Sequence, residues 1–238
     1  MLKEAFVWIK ENTANVELLK VNGQEYSNRE LYKLQAPVRR ELEVTTLTGL
    51  VDYIKSLFDG SEAYIVTVLS ERKVIIESKL NLNKRRECII VSNAQIPNVT
   101  LNEFIELEKF NIQLQSVFVP SEERATVLSL IGNIKTENVS NTGDDGISQM
   151  VEVKRGVTTV KKEEVPNPVY LKPFRTFTEI SQPESAFVLR IKESASYGLQ
   201  AALFEADGGA WKNEAILNIK EYLEEELKDH KKRITILA

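Results

Sequence analysis

The 238 residues hold a single cysteine, Cys88, and a single histidine, His230. One cysteine excludes an intramolecular disulfide and any multi-cysteine zinc or iron–sulfur site. One histidine excludes a histidine-rich metal centre and makes any Ser-His-Asp triad depend on that residue. No unbroken apolar run approaches the roughly 20 residues that a membrane-spanning helix needs. The opening MLKEAFVWIKEN has neither the apolar block nor the small-residue cleavage site of a signal peptide. An excess of positive charge is missing too. The 31 Lys and Arg face 35 Asp and Glu for a net charge of −4, which argues against a global basic surface for duplex DNA and leaves room for a local patch. The expectation is a soluble, cytoplasmic protein that uses no membrane, metal or cofactor.

Apolar residues make up 42% of the chain, enough for the core of one large domain or two small ones. Leu2, Phe6 and Ile9 predict a short amphipathic helix. Asn22-Gly23 between Val16–Val21 and Gln24–Tyr26 predicts a hairpin, and Glu41–Thr45 reads as a short strand. Leu47, Leu50, Val51, Ile54, Leu57 and Phe58 recur at the helical period, with Thr46 or Thr48 as cap and Asp59-Gly60 as stop. Ala63–Leu69, Lys73–Ser78 and Glu87–Val91 are β-rich and predict an antiparallel meander.

Two helices follow. One has Phe110, Leu114, Val117 and Phe118 on a face. The other is capped by Ser121 and buries Ala125, Leu128, Ile131 and Ile134. From Thr136 to Glu205 the chain is β-prone. Ile147–Lys154 pairs with Val157–Glu163, and Ala186–Ile191 and Leu199–Glu205 are further strands. Pro166, Pro168 and Pro173 confine the stretch between these pairs to an edge or a covering arm. A long helix, Trp211 to Lys228, precedes a closing strand, Ile234–Leu237. The fold class is therefore α+β, mainly antiparallel, with about five helices and a β-rich second half. One composite domain spans 1–238, and 136–146 is the only boundary offered for a subdivision into 1–135 and 136–238.

Few residues invite a functional reading. Asp207-Gly208-Gly209 precedes the last helix and is a candidate anion-binding turn, but it matches no nucleotide-binding glycine motif, and the commoner use of these residues is a tight turn in which Asp207 caps the helix. Asp144 and Asp145 lack the ligand spacing of a calcium loop and read as a solvated turn. The acidic run Glu224-Glu225-Glu226 reads as the wet end of a helix. Arg39, Arg40, Lys84, Arg85, Arg86 and Arg175 are candidate contacts for single-stranded nucleic acid, given aromatic residues such as Phe174 and Phe177 nearby. His230 reads as a C-terminal helix cap and Cys88 as a small buried hydrophobe.

The segments Gly143–Gln149, Val165–Val169, Phe174–Phe177, Gln182–Ser185 and Ala202–Lys212, with Leu47–Ile54 in the first half, resemble the YfdQ-like proteins of phage and prophage genomes. The resemblance covers most of the chain and is weakest in the first 40 residues. It implies a phage origin, hence the cytoplasm of an infected or lysogenic bacterium, and brings no activity or catalytic residue with it.

Three functions stay open. The first is a non-catalytic, self-associating accessory protein. In that reading the arm 165–183 is too apolar for a free loop, so its own sheet or another copy covers it, with Tyr170, Phe174 and Phe177 as candidate homo-oligomer contacts. The second is a single-stranded nucleic-acid binder. The third binds or hydrolyses a small phosphorylated ligand at Asp207–Gly209.

Overall fold

The computed structural model describes residues 2–13, 18–21, 24–27, 40–60, 63–81, 84–134, 149–155, 159–194 and 196–238. Contacts divide the chain into two units, Met1–Arg39 and Arg40–Ala238. The first holds helix α1 (Leu2–Thr13) and a hairpin of β1 (Leu18–Val21) and β2 (Gln24–Ser27). Val21 pairs with Gln24, the two-residue connection that Asn22-Gly23 predicts, although those two residues lie outside the described ones.

The second unit begins with β3 (Leu42–Val44) and α2 (Leu47–Ser56). Thr46 caps α2 by accepting the Gly49 N–H at 3.0 Å. Leu47, Leu50, Val51 and Ile54 form its buried stripe. The helix ends earlier than Asp59-Gly60, because Leu57 already turns left-handed at φ 55°. β4 (Tyr64–Ser70), β5 (Lys73–Ser78) and β6 (Cys88–Asn93) form the expected antiparallel meander, with alternate residues buried.

The short β7 (Ile105–Glu106) leads into α3 (Leu107–Val117) and α4 (Glu122–Asn133). Ser121 caps α4 through the Arg124 N–H. The buried face of α4 is Val127, Leu130 and Ile131, whereas Ala125 is exposed. Of the expected face, Ile131 is buried and Leu128 and Ile134 pack against the same core, so Ala125 alone is misplaced; Val127 and Leu130 sit deeper because they bring more apolar surface than alanine.

β8 (Gln149–Arg155) and β9 (Thr159–Val165) pair as a separate hairpin. β10 (Val169–Leu171), between Pro168 and Pro173, is an edge strand, the position that flanking prolines favour. β11 (Ser185–Ser194) and β12 (Gly198–Glu205) form a long hairpin. Helix α5 (Ala210–Glu226), a 3₁₀ turn (Lys228–His230) and β13 (Ile234–Leu237) complete the chain. The fold is α+β, with five α-helices among the described residues and a long C-terminal helix followed by a short strand.

Two sheets carry two cores. The first sheet runs β13-β4-β5-β6-β3, and both of its edge strands are parallel to their neighbours. Residues of α2 and α5 cover it, and Phe177 and Ile180 join them. The second sheet runs β10-β11-β12-β7. Its Phe187, Leu189, Ile191, Ala201 and Leu203 share a core with α3, α4, Val151 and Val165. Among the described residues no helix is long and apolar enough to cross a membrane.

Candidate functional site

The densest buried polar cluster of the described chain centres on Arg175, in the extended segment between β10 and β11. The segment is held first by its own backbone. The Arg175 and Thr176 N–H groups donate to Gln182 Oε1 at 3.0 and 3.3 Å, and Gln182 Nε2 donates to the Phe177 carbonyl at 2.9 Å. Thr176 Oγ1 donates to the Glu71 carbonyl, and Arg72 Nε to the Arg175 carbonyl at 3.3 Å. Glu71 and Arg72 form the β4–β5 turn, so the segment ties the first sheet to the ends of the second. Further along, the Glu179 carboxylate accepts the Leu47 and Thr48 N–H groups at 2.7 and 3.2 Å, which neutralises part of the positive end of α2.

The Arg175 side chain is 2% exposed. Its Nη1 meets Glu205 Oε1 at 2.9 Å, and Nη2 donates to Ser185 Oγ. Its guanidinium carbon lies 3.9 Å from the centroid of the Trp211 ring, a cation–π contact strengthened by loss of water. Burial pushes the Arg175 pKa down to about 10, against the pull of Glu205 and Asp207. The group therefore stays charged at neutral pH. Ser185 Oγ passes the chain of hydrogen bonds on to Asp207 Oδ2.

This constellation is poorly equipped for catalysis. Burial raises the Asp207 pKa, but the hydrogen bonds from Ser185 and the Gly209 N–H, with the charge of Arg175, outweigh it and hold the carboxyl below its ordinary range. A carboxylate so stabilised is a weak base. Ser185 and Asp207 stand before the first turn of α5, and His230 stands beyond its last. At 1.5 Å per residue that helix alone separates them by about 25 Å, so the serine, aspartate and histidine assemble no triad. Nδ1 of His230 instead faces Arg233 Nη2 at 3.3 Å. Cys88 is half-buried, and burial, followed by the charges of Glu41 and Glu77, pushes its thiol pKa up, away from a reactive thiolate.

The other candidate residues fall in several places. Gly208 and Gly209 take positive φ of 62° and 82°, and the Gly209 N–H donates to Asp207 Oδ1 at 3.0 Å. The Asp207 carboxylate thus occupies the turn itself, in keeping with the capping reading, and its charge disfavours the alternative of a bound anion. Arg175, a candidate nucleic-acid contact, is instead a buried tie. Lys84, Arg85 and Arg86 are exposed, as is Arg40. Because β3 runs parallel to β6 with Leu42 opposite Ile90, Arg40 falls at the same sheet end as these three. Glu41 and Glu77 act on Cys88 at that end, so the patch is of mixed charge. Arg39, Asp144 and Asp145 lie outside the described residues.

Of the candidate oligomer contacts, Tyr170 is exposed, Phe174 is half-buried and Phe177 is buried in the first core. Val165, Val169, Leu171 and Ile180 are buried as well, so the chain itself covers most of the apolar surface of 165–183. The sequence did not point to Gln182, Ser185, Glu205 or Trp211 as partners of Arg175. The available signal was a lone arginine between Phe174 and Phe177 in an apolar arm. No family model matches this chain, and neither does any curated protein or solved structure.

Proposed function

We propose that the chain is a non-catalytic protein of phage or prophage origin that associates with copies of itself. The observation that carries this reading is α1, whose own unit, Met1–Arg39, leaves Leu2 82%, Phe6 71% and Val7 48% exposed. Leu2 and Phe6 lie one turn apart on a helix of 12 residues, a length that is marginal in water without a surface to dock on. Burying such a side chain against another copy contributes about 1.5–3 kcal/mol. The separation of Ser185 and Asp207 from His230 supports the non-catalytic part, and the YfdQ-like resemblance supports the phage origin and a place in the bacterial cytoplasm. Light scattering tests the reading. The wild type is expected at a multiple of 27.1 kDa, and Leu2→Ser with Phe6→Ser at a smaller multiple. A wild type at 27.1 kDa over a wide concentration range overturns it.

A second reading, binding of single-stranded nucleic acid, draws on Arg40 and Lys84–Arg86 at one sheet end. Its test is binding to a single-stranded oligonucleotide at low salt. The expected result is an affinity that falls steeply with salt and drops in Lys84→Glu with Arg85→Glu. No binding at low salt removes the reading.

A further inference from the structure

The open edges of a sheet are where another chain can add, and the second unit treats its edges unequally. In the second sheet, β10 covers the start of β11. Asn167 then takes over, accepting the Leu189 N–H at 2.7 Å and donating to the Leu189 carbonyl at 3.2 Å. Gln149 does the same for Ile191. On the far side of β10 the Tyr170 N–H donates to the Glu123 carboxylate, and the next residues pair with the α3–α4 connection through Val119 N to Lys172 O and Phe174 N to Val117 O. In the first sheet, β3 is three residues long with Glu43 at its centre, and charge on a short edge discourages pairing.

The other edge of that sheet, β13, is also short but carries no charged residue, and among the described residues no side chain bonds to its outer edge. Its sequence is Ile-Thr-Ile-Leu, and its one strand neighbour among the described residues is β4. The Tyr64 N–H donates to the Arg233 carbonyl at 2.9 Å. Alternate residues of a parallel strand bond to the same neighbour, so Arg233, Thr235 and Leu237 bond towards β4. Ile234 and Ile236 therefore direct their N–H and C=O groups to the open edge. Beside them lies a cavity of 230 Å³ lined by Leu227, Ile234 and Ile236, with Glu224 and Lys231.

We propose that β13 pairs antiparallel with β13 of a second copy, extending the sheet across a two-fold axis. This rests on the self-association proposed above and names a contact for it. With Thr235 opposite Thr235 of the partner subunit, Ile234 and the partner's Ile236 form a hydrogen-bonded pair and exchange both N–H···O bonds, as do Ile236 and the partner's Ile234. The side chains of Ile234 and Ile236 lie on the α5 face, where a strand added at the edge sets alternate residues into the cavity. The apolar wall of the cavity, Leu227 with Ile234 and Ile236, and a strand with isoleucine at every second position suit each other, and both belong to this chain. The cavity also carries one acid, Glu224, and one base, Lys231, so a two-fold copy can meet each charge with its opposite.

Thr235 supplies the test, because its side chain is exposed and faces away from the core. At the axis the two Thr235 residues form a non-hydrogen-bonded pair with Cα atoms about 4.5 Å apart, where like charges repel. Thr235→Asp and Thr235→Lys are each expected to halve the particle mass in light scattering, and an equimolar mixture of the two to restore it. In the wild type, the Ile234 and Ile236 amides are expected to exchange hydrogen slowly at high concentration and faster on dilution. An oligomer whose mass is indifferent to both substitutions overturns the β13 contact and leaves self-association standing, as do unprotected Ile234 and Ile236 amides in an oligomer. A monomeric wild type overturns both.

Discussion

The carboxamide of Gln149 stands where a β-strand would stand beside Ile191. It accepts the Ile191 N–H at 3.0 Å, donates back to the Ile191 carbonyl, and is itself only 3% exposed. Main-chain groups at this depth must be paired, and one side chain satisfies a donor and an acceptor together. Gln149→Leu keeps the bulk and leaves both Ile191 groups without that partner. The expected loss is about 2–4 kcal/mol, read as a fall in the urea midpoint with an unchanged m-value.

Arg175→Met removes the buried member of an ion pair whose other member, Glu205, is 34% exposed and can turn to water. What is lost is the charged hydrogen bond to Ser185 and the contact with Trp211, an expected cost of about 1.5–3 kcal/mol. Arg175→Lys is expected to be destabilising too, because a single ammonium cannot reach Glu205 and Ser185 while lying flat on Trp211. Equilibrium urea unfolding of the two variants measures both losses.

Asp207 makes stability depend on acid. Its folded pKa lies below the unfolded one, so its stabilisation is fully present above the unfolded value of about 3.9 and is lost as pH falls through the folded value. Asp207→Asn is expected to flatten this acid limb. Urea midpoints at about pH 5 and about pH 3 show it as a smaller difference in the variant than in the wild type.

Cys88 should react slowly. Its raised pKa leaves little thiolate at neutral pH. Its reaction with a disulfide reagent is expected to be slower in the native protein than in urea, where the thiol returns to its ordinary pKa. Equal rates in the two states contradict that expectation.

What the sequence revealed was local. The α2 stripe, the Asn22-Gly23 hairpin, the 63–93 meander and the start of α5 each rest on periods and caps within a dozen residues or so. α4 shows the limit of that method, since the period placed Leu128, Ile131 and Ile134 at the core but not the deeper Val127 and Leu130. The parallel edges were illegible for another reason. Leu42 meets Ile90 and Ile234 meets Tyr64, and nothing near either strand names its partner. The Arg175 cluster draws on Glu71, on Gln182 and Ser185, and on Glu205 and Trp211, three separate stretches that only the finished fold brings together. The arginine was visible; its burial was not.

The parallel pairing of β13 with β4 also sets an order of events during synthesis. The meander of β4, β5 and β6 needs only neighbouring sequence and can form as soon as residue 93 has left the ribosome. The outer edge of β4, from Tyr64 to Thr67, then waits for Ile234–Leu237. Contacts so distant in sequence form slowly, and an unpaired apolar edge is open to other chains in the meantime. Until Ile234–Leu237 arrives, that edge of β4 is a place where a wrong neighbour can pair.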